Sequence, residues 1–283
     1  MRTTISFLLL FLTIIAAAQE YDNTCRKGIE HFKHKEFEEA TQCFKEAVAQ
    51  SNNEYEKVYA LANLAYSYQI SGKLPEALKS YDDALSIIPE EMTLLQQRAN
   101  IYLQLDSTEL ALKDYSTILE HEPSNTGALL CRAHIYTNTG EYEKAWEDYN
   151  QLQWWLPDNL SVQLGIAVLY QKEKRYDEGH LIISKLIEEN PNVAELYIAR
   201  SNIERERGHN ELAVMDLEKA IELADELITI LDDGSEDVDR LSDLSSALFR
   251  KAESLHSICH FDDALIYFIK SGDIDKKLAD LNP

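Results

Sequence analysis

The chain has 283 residues, 45% of them hydrophobic, with 50 Asp+Glu against 27 Lys+Arg and a formal net charge of −23. That apolar content suffices for a packed core, but the charge excludes nucleic acid and anionic membrane surfaces as electrostatic partners, because both reward clustered Lys and Arg. Nine Gly and six Pro are too few for a fold of strands and turns, so the chain reads as mostly helical.

Residues 1–18 stand apart. Arg2 is their only charged side chain, Phe7–Ile15 is apolar except for Thr13, and Ala16, Ala17 and Ala18 precede Gln19 and Glu20. This is the pattern of an export signal cleaved after Ala18, and its apolar run is shorter than the roughly 20 residues of a transmembrane helix. The mature chain is expected to be secreted or periplasmic, where disulfides persist.

From residue 21 onward the sequence repeats. Ala77, Ala111, Ala145, Gly179 and Ala213 follow one another at 34-residue steps, as do Tyr68, Tyr102, Tyr136 and Tyr170, and Pro89, Pro123, Pro157 and Pro191. Ala65, Ala99, Ala133 and Ala167 keep the same period. Taken in order, the units fall at about 21–57, 58–91, 92–125, 126–159, 160–193 and 194–227, and after an acidic insertion at about 228–244 a seventh spans 245–278. The fourth is the clearest. Thr126–Asn138 has helical apolar spacing, Thr139 and Gly140 break it, Tyr142–Trp155 forms a second helix, and Pro157 stops that helix. Ala133 and Ala145 let the two helices approach, and Tyr136 and Tyr149 fill the space beyond. One such hairpin cannot bury its apolar faces alone, so stacking on neighbours completes the core. The acidic run Asp232–Asp239 lacks the ligand spacing of a calcium loop and reads as a solvated linker. Residues 273–281 read as a short capping helix with Ile274, Leu278 and Leu281 facing in.

Ala133, Tyr136, Gly140, Tyr142, Ala145, Tyr149 and Pro157, with their counterparts in the other units, resemble the tetratricopeptide repeat (TPR) family. The resemblance covers nearly all of residues 19–283 and implies an all-α fold, an α-solenoid of antiparallel helix pairs wound as a right-handed superhelix, with seven units and a C-terminal cap. It also implies that the first helices line a concave groove for an extended peptide or a partner's helix. The groove positions are then Tyr59, Asn63 and Tyr66 in the second unit, Gln96 and Asn100 in the third, His134 and Asn138 in the fourth, and Gln171 in the fifth. Tyr66, Asn100 and His134 are 34 apart and are expected to stack in a row. The family's clamp for a C-terminal carboxylate uses Lys or Arg and Asn on three successive units; here Asn63 matches one clamp position, the others hold Cys25, Ile29, Thr93 and Gln97, and the positive charges are missing.

No H-E-x-x-H, G-x-S-x-G or P-loop motif occurs, and the four cysteines form no C-x-x-C pair, so no catalytic residue, metal site or cofactor is expected. Cys25 and Cys43 each lie three residues toward the same end of the first hairpin from the Gly28–Ala40 crossing, which puts a disulfide between them within reach. Cys131 and Cys259 read as buried small hydrophobes, and Trp154 and Trp155 as packing between repeats. The leading expectation is a non-enzymatic scaffold for a protein or peptide in an exported assembly. The alternatives are a structural subunit with no groove ligand, or an accessory protein for envelope polysaccharide or nutrient uptake.

Overall fold

A computed structural model describes residues 19–232, 234 and 237–281, so the expected export signal at 1–18 lies outside the described residues. Among these residues there are helices and no strands. They are α1 (19–33), α2 (Phe37–Gln50), α3 (Glu54–Ile70), α4 (Leu74–Leu85), α5 (Met92–Gln104), α6 (Thr108–His121) and α7 (Thr126–Thr139). Then follow α8 (Tyr142–Trp155), α9 (Leu160–Lys172), α10 (Tyr176–Glu189), α11 (Ala194–Glu206), α12 (Asn210–Leu231), α13 (Val238–Ser257) and α14 (Phe261–Leu281). They pair as seven successive hairpins, α1/α2 to α13/α14, the stacked helix pairs of an α-solenoid. The chain separates into two compact units, one reaching Pro123 and the other running Ser124–Asp280.

Backbone hydrogen bonding marks each hairpin turn. One residue with φ between +53° and +83° ends each first helix: Lys35, Gly72, Asp106, Gly140, Lys174, Gly208 and Cys259. The residue after it donates its amide to the carbonyl five positions back, from Glu36 to His31 and so on to His260 to Leu255, at 2.7–2.9 Å. This closes the carbonyls left open at a helix end. Four of the seven are not glycine and hold a left-handed conformation that costs an L-residue about 1 kcal/mol. Several first helices begin instead on a side-chain cap: Asn53, Asn125, Asn159 and Asp237 each accept from the amide three residues on.

The helices of a hairpin cross on small residues. Ala65 and Ala77, Ala99 and Ala111, and Ala133 and Ala145 are fully buried, and Tyr81, Tyr115 and Tyr149 pack beyond them. Gly179 takes the alanine position in the fifth hairpin because a Cβ there would lie 3.0 Å from the Ala167 carbonyl oxygen and 3.1 Å from Ile203 Cδ1.

Beside this crossing runs a second register, residue i on the first helix against i+16 on the second. In three hairpins it holds a two-bond Arg–Asp clasp. Arg98 donates to Asp114 at 2.8 and 2.7 Å, Arg132 to Asp148 at 2.8 and 2.7 Å, and Arg200 to Asp216 at 2.8 and 2.6 Å. Lys251, the counterpart in the seventh hairpin, donates to the Tyr267 hydroxyl at 2.8 Å and also pairs with Asp225. The fifth hairpin has Ile166 and Ile182 at these positions, the second Leu64 and Ser80, and the first Lys27 and Cys43.

In the second compact unit, two successive junctions use the residue just after the small crossing residue of the second helix. Trp146 lies edge-on to Tyr170 with ring centroids 4.8 Å apart. One repeat later the same contact is polar, with His180 Nε2 3.1 Å from Glu204. Glu204 is buried and is also bonded by Arg207 and by His209 Nδ1, both at 2.7 Å.

Two stretches toward the C-terminus extend helices. The segment 228–244 is helical at both ends, because Leu227, Ile230 and Leu231 on one side and Leu241 and Leu244 on the other continue the apolar spacing. It lengthens α12 to 22 residues and α13 to 20. The capping segment 273–281 is the C-terminal part of α14, which runs unbroken through Gly272 for want of a proline.

Candidate functional site

In the first compact unit, α1 and α3 enclose a cavity of about 460 Å³ lined by Tyr21, Asp22, Cys25, Arg26, Ile29, Tyr55, Glu56 and Tyr59. Tyr21 is held at its floor by a hydrogen bond from its hydroxyl to the Glu56 carbonyl at 2.7 Å, and burial pushes its pKa well above the ordinary phenol value. Tyr55 is 80% exposed and Tyr59 49% exposed. Tyr66 continues the same stripe of α3, two to three turns on, and is stacked on Phe32 with centroids 5.2 Å apart. The spacing of Tyr55, Tyr59 and Tyr66 puts three phenols on one helix face. Tyr55 was not among the groove residues inferred from the sequence; the four-residue step back from Tyr59 was the available signal.

The amides expected to meet a ligand are engaged within the protein. Asn63 donates to the Tyr59 carbonyl at 2.8 Å, one turn back on its own helix. Asn100 Oδ1 accepts from Gln96 at 3.2 Å and from the Tyr115 hydroxyl at 2.8 Å, which leaves its NH₂ as the group that can address a ligand. In the second compact unit, His134 and Asn138 are exposed on α7 and Gln171 is half-buried on α9. The His134 ring lies edge-on to Tyr149 at 6.2 Å, and the surrounding protein holds its pKa below the ordinary imidazole value. Thus Tyr59, Asn63, Tyr66, Gln96 and Asn100 belong to one compact unit, and His134, Asn138 and Gln171 to the other.

The cysteines depart from expectation. Cys25 and Cys43 are both free. The i to i+16 register pairs Cys43 with Lys27, two residues and about 200° around the helix from Cys25. Cys25 instead packs with Tyr21, Ala47 and Ala60, and burial raises its pKa. Cys259 is exposed and occupies a positive-φ turn, and Cys131 is half-buried, so neither is a core residue. Trp154 is 84% exposed and Trp155 is exposed, while Trp146 makes the contact between repeats. Among the described residues no group of three or more His, Cys, Asp or Glu is placed to hold a metal, and no helix is long and apolar enough to cross a membrane.

Residues 194–226 match the family described as tetratricopeptide repeat, and residues 26–121 match a domain of unknown function (DUF6340). No curated protein matches the chain. A tetratricopeptide repeat protein from Parabacteroides merdae ATCC 43184 is similar in structure, with 27% identity and a TM-score of 0.75 over 93% of this chain and 99% of that one. The C-terminal part of a TPR repeat-containing protein from Cytophaga hutchinsonii shares 18% identity, with a TM-score of 0.56 over 91% and 99% of the two chains. YrrB, a TPR protein with an unusual peptide-binding site, shares 18% identity, with a TM-score of 0.50 over 64% and 91%.

Proposed function

We propose that this chain, a tetratricopeptide repeat protein, is an exported, non-catalytic scaffold that grips an extended segment of a partner protein along the first helices of its N-terminal hairpins. The carrying observation is the stripe of exposed Tyr55, Tyr59 and Tyr66 beside the α1/α3 cavity. Tyrosine offers large contact area with little side-chain entropy to lose, and its hydroxyl can bond a peptide backbone. Arg26, Asp22 and Glu56 at the cavity give its rim charges of both signs. The partner segment is therefore expected to bring an apolar or aromatic side chain into the cavity, with polar backbone outside.

The test is a random peptide library panned against residues 19–283. Selected peptides should bind Tyr59→Ala/Tyr66→Ala at least about tenfold more weakly, as truncation of aromatic anchors does elsewhere. Asn63→Ala should change affinity little, because its amide already bonds the Tyr59 carbonyl. Equal affinity for the double variant would remove the tyrosine stripe as the binding surface. The export part of the proposal rests on the pattern of residues 1–18 and has its own measurement: N-terminal sequencing of the processed chain should begin at Gln19. A chain that keeps Met1 and stays in the cytoplasm would overturn it.

A further inference from the structure

The insertion between the sixth and seventh hairpins builds a cavity of its own, inside the second compact unit. α12 has 22 residues against 14 in α10, and α13 has 20 against 13 in α11. The surplus turns lie at the end of α12 and the start of α13. This is the edge at which α11 begins, so they overhang its first turn. Under the overhang is a cavity of about 220 Å³. Leu223, Ala224 and Ala247 are buried and form its floor, and Ala194 of α11 closes one side. Leu227 and Ile230, both in the surplus turns, form a wall that stays 37% and 66% exposed. Insertions in repeat arrays commonly gather on the binding face.

The rim of this cavity is negative. Glu195 and Arg250 pair across α11 and α13 at 2.7 Å, and their charges cancel. Glu226 is exposed at the cavity and has no hydrogen bond or ion pair among the described residues. Lys219, which senses its charge, is itself bonded to Glu222 at 2.8 Å. The end of α12 adds the partial negative charge of a helix C-terminus, and its last turn holds no basic residue. The chain already brings one guanidinium to that end, where Arg240 donates to the Ile230 carbonyl at 2.9 Å. The run Asp232–Asp239 that follows is acidic. An apolar wall that ends at a carboxylate suits a side chain with an aliphatic stem and a cationic tip.

We propose that this cavity takes an arginine or lysine side chain from a basic segment of a partner protein. The methylenes lie on Leu227 and Ile230, and the charge meets Glu226 and the end of α12. Apolar residues beside that side chain in the partner cover the rest of Ile230. The site is separate from the tyrosine stripe of α3 and does not rest on it. Because the attraction is between exposed charges, added salt should weaken it.

Amide NMR of residues 19–283, titrated with the peptide acetyl-Leu-Arg-Leu-amide, tests this. Shifts should concentrate at the start of α11, the second half of α12 and the middle of α13, with a Kd of about 1 mM. Replacing the peptide's arginine by glutamine should weaken binding about threefold to fivefold, the weight of one exposed ion pair. Glu226→Gln should do the same to the arginine peptide, and as an exposed substitution it should leave the circular dichroism unchanged. Tyr59→Ala/Tyr66→Ala should bind the arginine peptide as the parent does. No shift at the cavity up to about 10 mM peptide would overturn the proposal. So would equal binding of the glutamine peptide, shifts spread evenly over the acidic surface, or shifts lost in the tyrosine variant.

Discussion

Replacing Arg132 with alanine should destabilise the fourth hairpin by about 3–5 kcal/mol, because it strands a carboxylate that has no route to water. The Asp148 side chain is 2% exposed, and Arg132 supplies it with two hydrogen bonds. The guanidinium is itself only about one-fifth exposed, and its own pKa is raised chiefly by the bond to Asp148. Asp148→Ala should cost less, since Arg132 can extend its head into solvent once released. The chain contains its own control. At the same register the fifth hairpin has Ile166 against Ile182, so Arg132→Leu/Asp148→Ile should restore stability to within about 1 kcal/mol of the parent. All three tryptophans lie in α8, so fluorescence-detected guanidinium melts read this hairpin directly. An Arg132→Ala variant as stable as the parent would show that the clasp contributes nothing net.

Glu204→Ala should loosen the junction between the fifth and sixth hairpins by about 2–4 kcal/mol, through loss of charge-assisted hydrogen bonds to a buried acceptor. Burial pushes this carboxyl up, but bonds from His209 and Arg207 and the charges of Arg207 and His180 outweigh it and hold the pKa below the ordinary carboxylate range. The sign of the pH dependence follows. A depressed folded pKa contributes stability that is complete above the unfolded value of about 4.3 and is lost as pH falls through the folded value beneath it. The difference between parent and Glu204→Ala should therefore be full at neutral pH and shrink below about pH 4. The loss is smaller than for Arg132 because Arg207 keeps a bond to Asp177 at 2.9 Å and the two histidines are partly open to solvent. The preceding junction joins Trp146 to Tyr170 at the same positions, so His180→Trp/Glu204→Tyr should recover most of the stability. Hydrogen exchange of α11 and α12 amides measures it; protection unchanged in Glu204→Ala would deny the junction its ionic character.

These two sites show where reading the sequence stops. Arg98, Arg132 and Arg200 keep the 34-residue period and are each followed sixteen residues later by Asp, so the signal was present. It passed unread because a charged residue on an amphipathic helix is solvated by default, and only the packed hairpin shows these pairs to be enclosed. Glu204 was visible as a departure from the tyrosine position, but its partners come from α10, the end of α11 and the start of α12, which converge only in space. The groove amides fared similarly. Their positions on the first helices were legible, whereas Asn63 and Asn100 spend hydrogen-bonding capacity on neighbours at ranges that spacing alone does not reveal.

The sequence by itself determined the repeat length, the seven helix hairpins and the small residues on which they cross, because helical periodicity and backbone breakers are local properties repeated many times over. Only the tertiary structure decided where α13 begins, how closely the Ala167 carbonyl and Ile203 approach Gly179, that Cys43 faces Lys27 rather than Cys25, and which tyrosines stay open on α3. Each of those depends on the rotation of one helix against another, and a turn of about 100° per residue moves a side chain from core to solvent without altering the repeat.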